Sequence, residues 1–108
     1  MAWDTPDLYH QPEKFGLEPF CSLDEPGMSY SFNMFQVWRH TETNELYWAQ
    51  DSGCSCPSPF QDFTSLEHAT KLDKLDLPNF VAAVNEFAEP FLLGEKQILI
   101  AKVAQHLW

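Results

Sequence analysis

"MSYSFNMFQVWRH", residues 28–40, is the run from which the fold can be read. Tyr30, Phe32, Met34 and Trp38 alternate onto one face, while Phe35 and Val37 fill the other. Successive side chains of a strand point to opposite faces, so a run that is apolar on both has to be covered on both. This predicts a central strand.

The neighbouring segments supply candidate partners. Residues 17–23, "LEPFCSL", read as a short strand with Leu17, Cys21 and Leu23 on one face. Pro19 has no N–H to give to a ladder, which sends this strand to a sheet edge or puts a bulge in it. "DEPG", residues 24–27, is the intervening turn. On the other side, "TETNE", residues 41–45, has hairpin length, with Asn44 suited to the left-handed conformation after a type I turn. The chain then returns as "ELYWAQD", residues 45–51. If Thr41 and Glu45 close the loop, Trp38 falls opposite Trp48 and Arg39 opposite Tyr47.

Further along, Thr64 with Glu67 three residues on has the pattern of a capping box, predicting a short helix over residues 65–71. In "LPNFVAAVNEFAE", residues 77–89, Phe80, Val81, Val84, Phe87 and Ala88 recur at helical spacing, with Pro78 near the first turn and Pro90 beyond the end. Gly94 then separates a last helical segment, in which Glu95, Lys102, Gln105 and His106 share a polar face. Strands first and helices last give an α+β fold, an antiparallel β-meander of about three strands packed against C-terminal helices. The chain is a single domain, residues 1–108: an extended N-terminal arm at 1–16, the meander at 17–52, a Cys/Pro loop at 53–63 and a helical part at 64–108.

Composition restricts function. With 108 residues, 44% apolar and 15% aromatic, the chain can build one packed core. Sixteen acidic residues against six basic give a formal charge of −10, which disfavours nucleic acid and anionic membrane as partners. The excess is concentrated at the front, where residues 1–27 hold six acids and one base. No apolar run approaches a membrane span, and "MAWDTPDLYH" lacks the marks of a signal peptide, so a cytoplasmic location is expected. Three cysteines, an odd number, are expected to be reduced thiols.

The densest local pattern is "DSGCSCPSPF", residues 51–60. Cys54 and Cys56 flank one residue and point the same way in an extended chain, as two ligands of zinc would, and Cys21 with His40 or His68 could complete a tetrahedron. Zinc sites more often use wider cysteine spacing, and the alternative is a rigid loop in which small cysteines pack as apolar residues and Pro57 and Pro59 stiffen the backbone. A disulfide between Cys54 and Cys56 ranks below the metal. Asp51 and Asp62 oppose an activated thiolate, the four histidines are dispersed, and neither a nucleophile elbow nor a phosphate loop is present. No catalytic residues are therefore assigned and a non-enzymatic protein is expected. Phosphate mimicry by the carboxylates is the sharper reading of the acidic excess, and a solvated surface the commoner one. Trp3, Tyr9 and Trp108 are candidate interface anchors.

Residues 35–66, "FQVWRHTETNELYWAQDSGCSCPSPFQDFTSL", resemble a family of small proteins of unknown function encoded by phages of mycobacteria and related actinobacteria. Those proteins pair a similar "ETGELYWA" return with a "DSGCSCPSPFEDY" loop. Here Asn44 stands where glycine is usual, and Gln61 and Phe63 replace the acid and the tyrosine. The resemblance marks Asp51, Gly53, Cys54, Cys56, Pro57, Pro59 and Phe60 as a signature loop and implies a phage origin and a bacterial host cytoplasm, but no activity. The resulting expectation is an accessory protein that binds and modulates a bacterial host protein, with a homodimer compatible. The alternative is a small metal-stabilised or ligand-binding module using Cys54, Cys56 and Cys21.

Overall fold

The computed structural model describes residues 6–27, 31–54, 60, 62–89 and 91–108. Its framework is a four-stranded antiparallel meander, β1 (Leu17–Asp24), β2 (Ser31–His40), β3 (Leu46–Cys54) and β4 (Thr70–Leu72), in the order β1-β2-β3-β4. Two helices follow, α1 (Leu77–Glu86) and α2 (Leu93–Leu107). The α+β class is as expected, with one strand more than the three foreseen.

β2 lies between β1 and β3, and its alternation divides the core into two layers. Phe35 and Val37 join Leu46, Leu72, Phe80, Val84, Leu99 and Val103 under the helices. Phe32, Met34 and Trp38 face the other way, where Leu8, Leu17, Ala49, Phe60 and Ala69 cover them. The second cover comes from the N-terminal segment and the connection between β3 and β4. Residues 6–16 form a clasp docked on this layer. Leu8 N–H donates to the carbonyl of Phe63 at 2.9 Å, and a 3-10 turn runs over Pro12–Phe15.

Three local expectations are corrected. The β2–β3 loop is closed by His40 and Glu45, with His40 N–H donating to Glu45 at 2.7 Å, and not by Thr41 and Glu45. Asn44 does take the left-handed conformation, at φ 67°. The register is therefore shifted by one residue: Trp38 pairs with Tyr47, Arg39 with Leu46 and Val37 with Trp48. Trp38 and Trp48 consequently lie on opposite faces, because a one-residue slip reverses every side chain of a strand. Trp48 instead stacks on Phe35, with ring centroids 5.1 Å apart.

The second correction concerns β1. It is an edge strand, as Pro19 required, and its register with β2 breaks between Pro19 and Cys21. The extra residue turns Phe20 and Cys21 both toward the helical layer, so Leu17 and Leu23 end in different layers and do not share a face.

The third is the predicted helix over residues 65–71. A single 3-10 turn, Leu66–His68, forms there, capped by Ser65 and not Thr64, and β4 follows immediately. Pairing with the first residues of β3 (Leu46↔Leu72, Trp48↔Thr70) outweighs a helix too short to bury an apolar face.

Both C-terminal helices form as expected, although Gly94 sits in the first turn of α2 and does not precede it. Lys96 is almost wholly buried between the helices, and its ammonium donates to the carbonyl of Asn85 at 3.0 Å. It thus places a cation at the C-terminal end of α1, which has no basic residue of its own in its last turn. On the polar face of α2, Lys102 donates to the carbonyl of Phe20 at 2.7 Å, and a nitrogen of His106 lies 2.8 Å from the carbonyl of Asn44. Two residues one turn apart thereby fasten α2 to the β1 bulge and to the hairpin loop. Capping an edge carbonyl with Lys102 also blunts β1 as a template for strand addition.

Gly16 takes φ +75°, and a Cβ there would meet Nε2 of His40 at 3.0 Å. Gly16→Ala should lower the unfolding free energy by about 1 kcal/mol or more, since both conformation and space oppose it. Gly53→Ala, whose Cβ would meet the Phe32 ring at an ordinary 3.5 Å, should cost less. Midpoints of urea unfolding compare the two.

Candidate functional site

The signature loop begins at the end of β3, and the described residues at its two ends are joined. Alternation along β3 puts Asp51 in the layer of Trp38, where its Oδ2 accepts the backbone N–H of Phe60 at 2.7 Å. Phe60 is fully buried, packs edge-on against Trp38 and Phe63, and is stacked on Tyr9. It also has φ 61°, a left-handed conformation costly for a bulky residue. Burying the ring and satisfying its N–H offset that cost. The ends of this motif are therefore structural: Asp51 ties the loop shut, and Phe60 plugs the layer beneath the N-terminal clasp. Gly53 lies under the ring of Phe32, opposite it on β2. Cys56, Pro57 and Pro59 lie outside the described residues, as do Trp3 and Tyr30.

The proposed metal ligands are not brought together. Cys21 pairs with Val37 and Cys54 with Ser31, six positions away along β2, which is about 20 Å at the rise of a strand. His40 lies nine positions from Ser31, at the far end of the same strand. A tetrahedral site cannot span such distances, so Cys21 and His40 cannot complete a site with Cys54. His40 Nδ1 instead accepts the N–H of Glu42 at 3.2 Å, and His68 Nδ1 that of Thr64 at 3.1 Å. Both imidazoles organise turns. Among the described residues no group of three or more His, Cys, Asp or Glu side chains is placed to hold a metal.

Cys21 lies in the helical layer, where burial pushes its thiol up to about 11, with Lys102 pulling weakly the other way. Such a thiol is a poor nucleophile at neutral pH.

The exposed residues define a different candidate. Trp108, expected as an anchor, is 79% exposed, and Leu75 is 91% exposed. The ammonium of Lys74 sits 4.5 Å from the Trp108 ring centroid. Between the hairpin loop, the end of β4 and the end of α2 lies a groove of about 420 Å³, lined by Asn44, Lys71, Leu72, Leu75, His106 and Leu107. Lys71 and Glu45 form an ion pair at its rim, and hydrogen bonding from Lys71 holds the Glu45 carboxyl below its usual range. Tyr9, the other described anchor, is half-buried and is part of the clasp. Leu75 escaped the sequence reading because "KLDKLDLP" places it at a helical spacing that also suits a core residue; the 3-10 turn Lys74–Asp76 turns it outward.

Two outcomes test this account. Asp51→Ala should destabilise the fold by about 1–3 kcal/mol through the orphaned Phe60 N–H, as the midpoint of urea unfolding would show. For Cys21, a thiol raised in the folded state contributes stability below its ordinary value of 9.0 that is lost as pH rises toward about 11. Stability measured from pH 8 to 11 should therefore fall less in Cys21→Ala than in the parent.

No helix among the described residues is long and apolar enough to cross a membrane. No curated protein and no solved structure matches the chain. A family model described as a domain of unknown function, DUF7574, matches residues 6–105, nearly the whole chain. The protein belongs to the DUF7574 family.

Proposed function

We propose that this protein is a non-enzymatic accessory protein of phage origin that binds a bacterial host protein in the host cytoplasm and alters or blocks it. The observation that carries the reading is a pair of exposed side chains, Leu75, which lines the groove at the end of α2, and Trp108, whose ring lies against Lys74 of the same groove. Tryptophan is over-represented among residues that dominate binding energy, and a largely apolar groove beside it offers a desolvated centre for a contact. Lys71 and Lys74 in its lining are matched by Glu45 and Asp73, so the groove is nearly neutral on a chain of net charge −10. The phage origin rests on the resemblance of residues 35–66 and on nothing else.

The test is capture from a mycobacterial host with an N-terminal tag, which leaves Trp108 free, followed by mass spectrometry. One stoichiometric host protein should be retained, and Leu75→Asp with Trp108→Ala should weaken its binding at least about tenfold, as loss of a central anchor does. Circular dichroism would verify that the double variant stays folded. Retention of the same partner by the folded double variant would reject the groove as the interface. A protein that purifies alone with about one zinc per chain would move the weight to Cys54 and Cys56.

A further inference from the structure

The outward side of α2 carries a further concavity, away from the groove at Leu75. It lies between α2 and the edge strand β1, encloses about 290 Å³, and is lined by Phe20, Cys21 and Ser22 of β1 and by Glu95, Ile98 and Lys102 of α2. Ile98 is 70% exposed. Of the other large apolar side chains exposed among the described residues, Phe91 and Leu93 stand at the start of the same helix.

Glu95, Ile98 and Lys102 follow at i, i+3 and i+7, a spacing that sets them in one row on a helix. The row is acidic toward the N-terminus, apolar at its centre and basic toward the C-terminus. Lys102 is already held: its ammonium donates to the Phe20 carbonyl at 2.7 Å and lies 4.7 Å from the centroid of the Phe20 ring. That bond uses one of its three protons and leaves the others for an incoming carboxylate. It also occupies an edge carbonyl of β1, which favours a partner that packs on the helix over one that adds a strand.

A row with this order of charges is complementary to itself when a second copy lies antiparallel across it. Two-fold contacts bring the same patch of both chains together, residue i meeting j while j meets i. With the axis beside Ile98, the two Ile98 side chains meet at the centre, and Glu95 of each copy faces Lys102 of the other. Glu95 lies three residues before the axis and Lys102 four after, about 4.5 and about 6 Å along the helix, an offset that the flexible lysine stem spans. Gly94 and Ala101, both exposed, fall opposite one another in the same register. A Cβ on Gly94 would meet no atom within 4 Å, so this side of the seam is open enough for two helices to approach. The charge pattern thus selects the occupant: a chain of net charge −10 offers here one acid and one base, and a second copy matches both by symmetry.

We propose that the protein pairs with a second copy of itself through antiparallel packing of α2 on α2, centred on Ile98 and bounded by two symmetric Glu95–Lys102 ion pairs. In this register α2 of the second copy begins at the level of Val103, so the groove at Leu75 stays open. The interface therefore goes beyond the binding of a host protein and does not depend on it. The overlap, residues 93–103 of each helix, is about 16 Å long, which places the dimer among weak, concentration-dependent associations.

The test is sedimentation equilibrium of the full chain from about 10 µM to about 1 mM, the range of weak encounters. The weight-average mass should rise toward that of a dimer, and Ile98→Glu, a change at an exposed position, should keep the chain monomeric throughout. Glu95→Lys and Lys102→Glu should each weaken self-association about tenfold, since each replaces two ion pairs worth about threefold apiece by like-charge contacts. An equimolar mixture of these two variants should associate about as well as the parent, because every acid again faces a base. Only antiparallel pairing in this register gives that recovery. Circular dichroism would verify folding; if Lys102→Glu unfolds for want of its bond to Phe20, Ile98→Glu and Glu95→Lys decide alone. A parent that is monomeric at the highest concentration, an Ile98→Glu variant that associates like the parent, or folded charge variants whose mixture shows no recovery would overturn the proposal.

Discussion

Everything in this fold depends on one constraint, that β2 is apolar on both faces. Phe35 and Val37 on one side and Trp38 on the other are all without measurable exposure. Truncating any one of the aromatic pair to alanine would cost about 3–5 kcal/mol, a large fraction of the stability of a domain this size. A sheet built on such a strand must be covered twice. α1 and α2 supply one cover, and the second is assembled from the N-terminal clasp and from Phe60, Phe63, Leu66 and Ala69 between β3 and β4.

That second cover explains the ends of the signature motif. Irregular segments leave backbone groups without ladder partners, and buried ones must be satisfied individually. Asp51 satisfies Phe60, the carbonyl of Phe63 receives Leu8, and Asp7 gathers the N–H groups of Tyr9 and His10. The layer is held by a few specific hydrogen bonds between segments distant in sequence. The helical cover works differently, through Lys96, Lys102 and His106, which fasten α2 to α1, to the β1 bulge and to the hairpin loop.

The two covers also leave different surfaces. Where α2 ends against the hairpin, exposed Leu75 lines a groove with lysines at its margin, and Trp108 lies against one of them, Lys74. Where the clasp meets β1, Tyr9, His10, Pro19 and Ser22 line a concavity of about 630 Å³.

Much of the framework was legible from the residues themselves. Alternation in residues 28–40 determined a central strand, the missing N–H of Pro19 determined an edge with a bulge, and Asn44 determined a left-handed turn residue, because these are properties of single residues and their immediate neighbours. Tertiary structure decided the register of the hairpin, the face of Leu17 and the fate of residues 65–71. Each depends on which distant group competes for the backbone: His40 against Thr41 for Glu45, a bulge that reverses one end of β1, and β3 drawing Thr70–Leu72 into a ladder. The candidate sites were less legible. Trp108 could be singled out as a candidate anchor, whereas Leu75 could not, because only the 3-10 turn Lys74–Asp76 turns it outward. The ligand set drawn from Cys21, Cys54 and His40 failed for the converse reason. Residue type suggests which groups can share a metal, and only the register of the sheet says how far apart they lie.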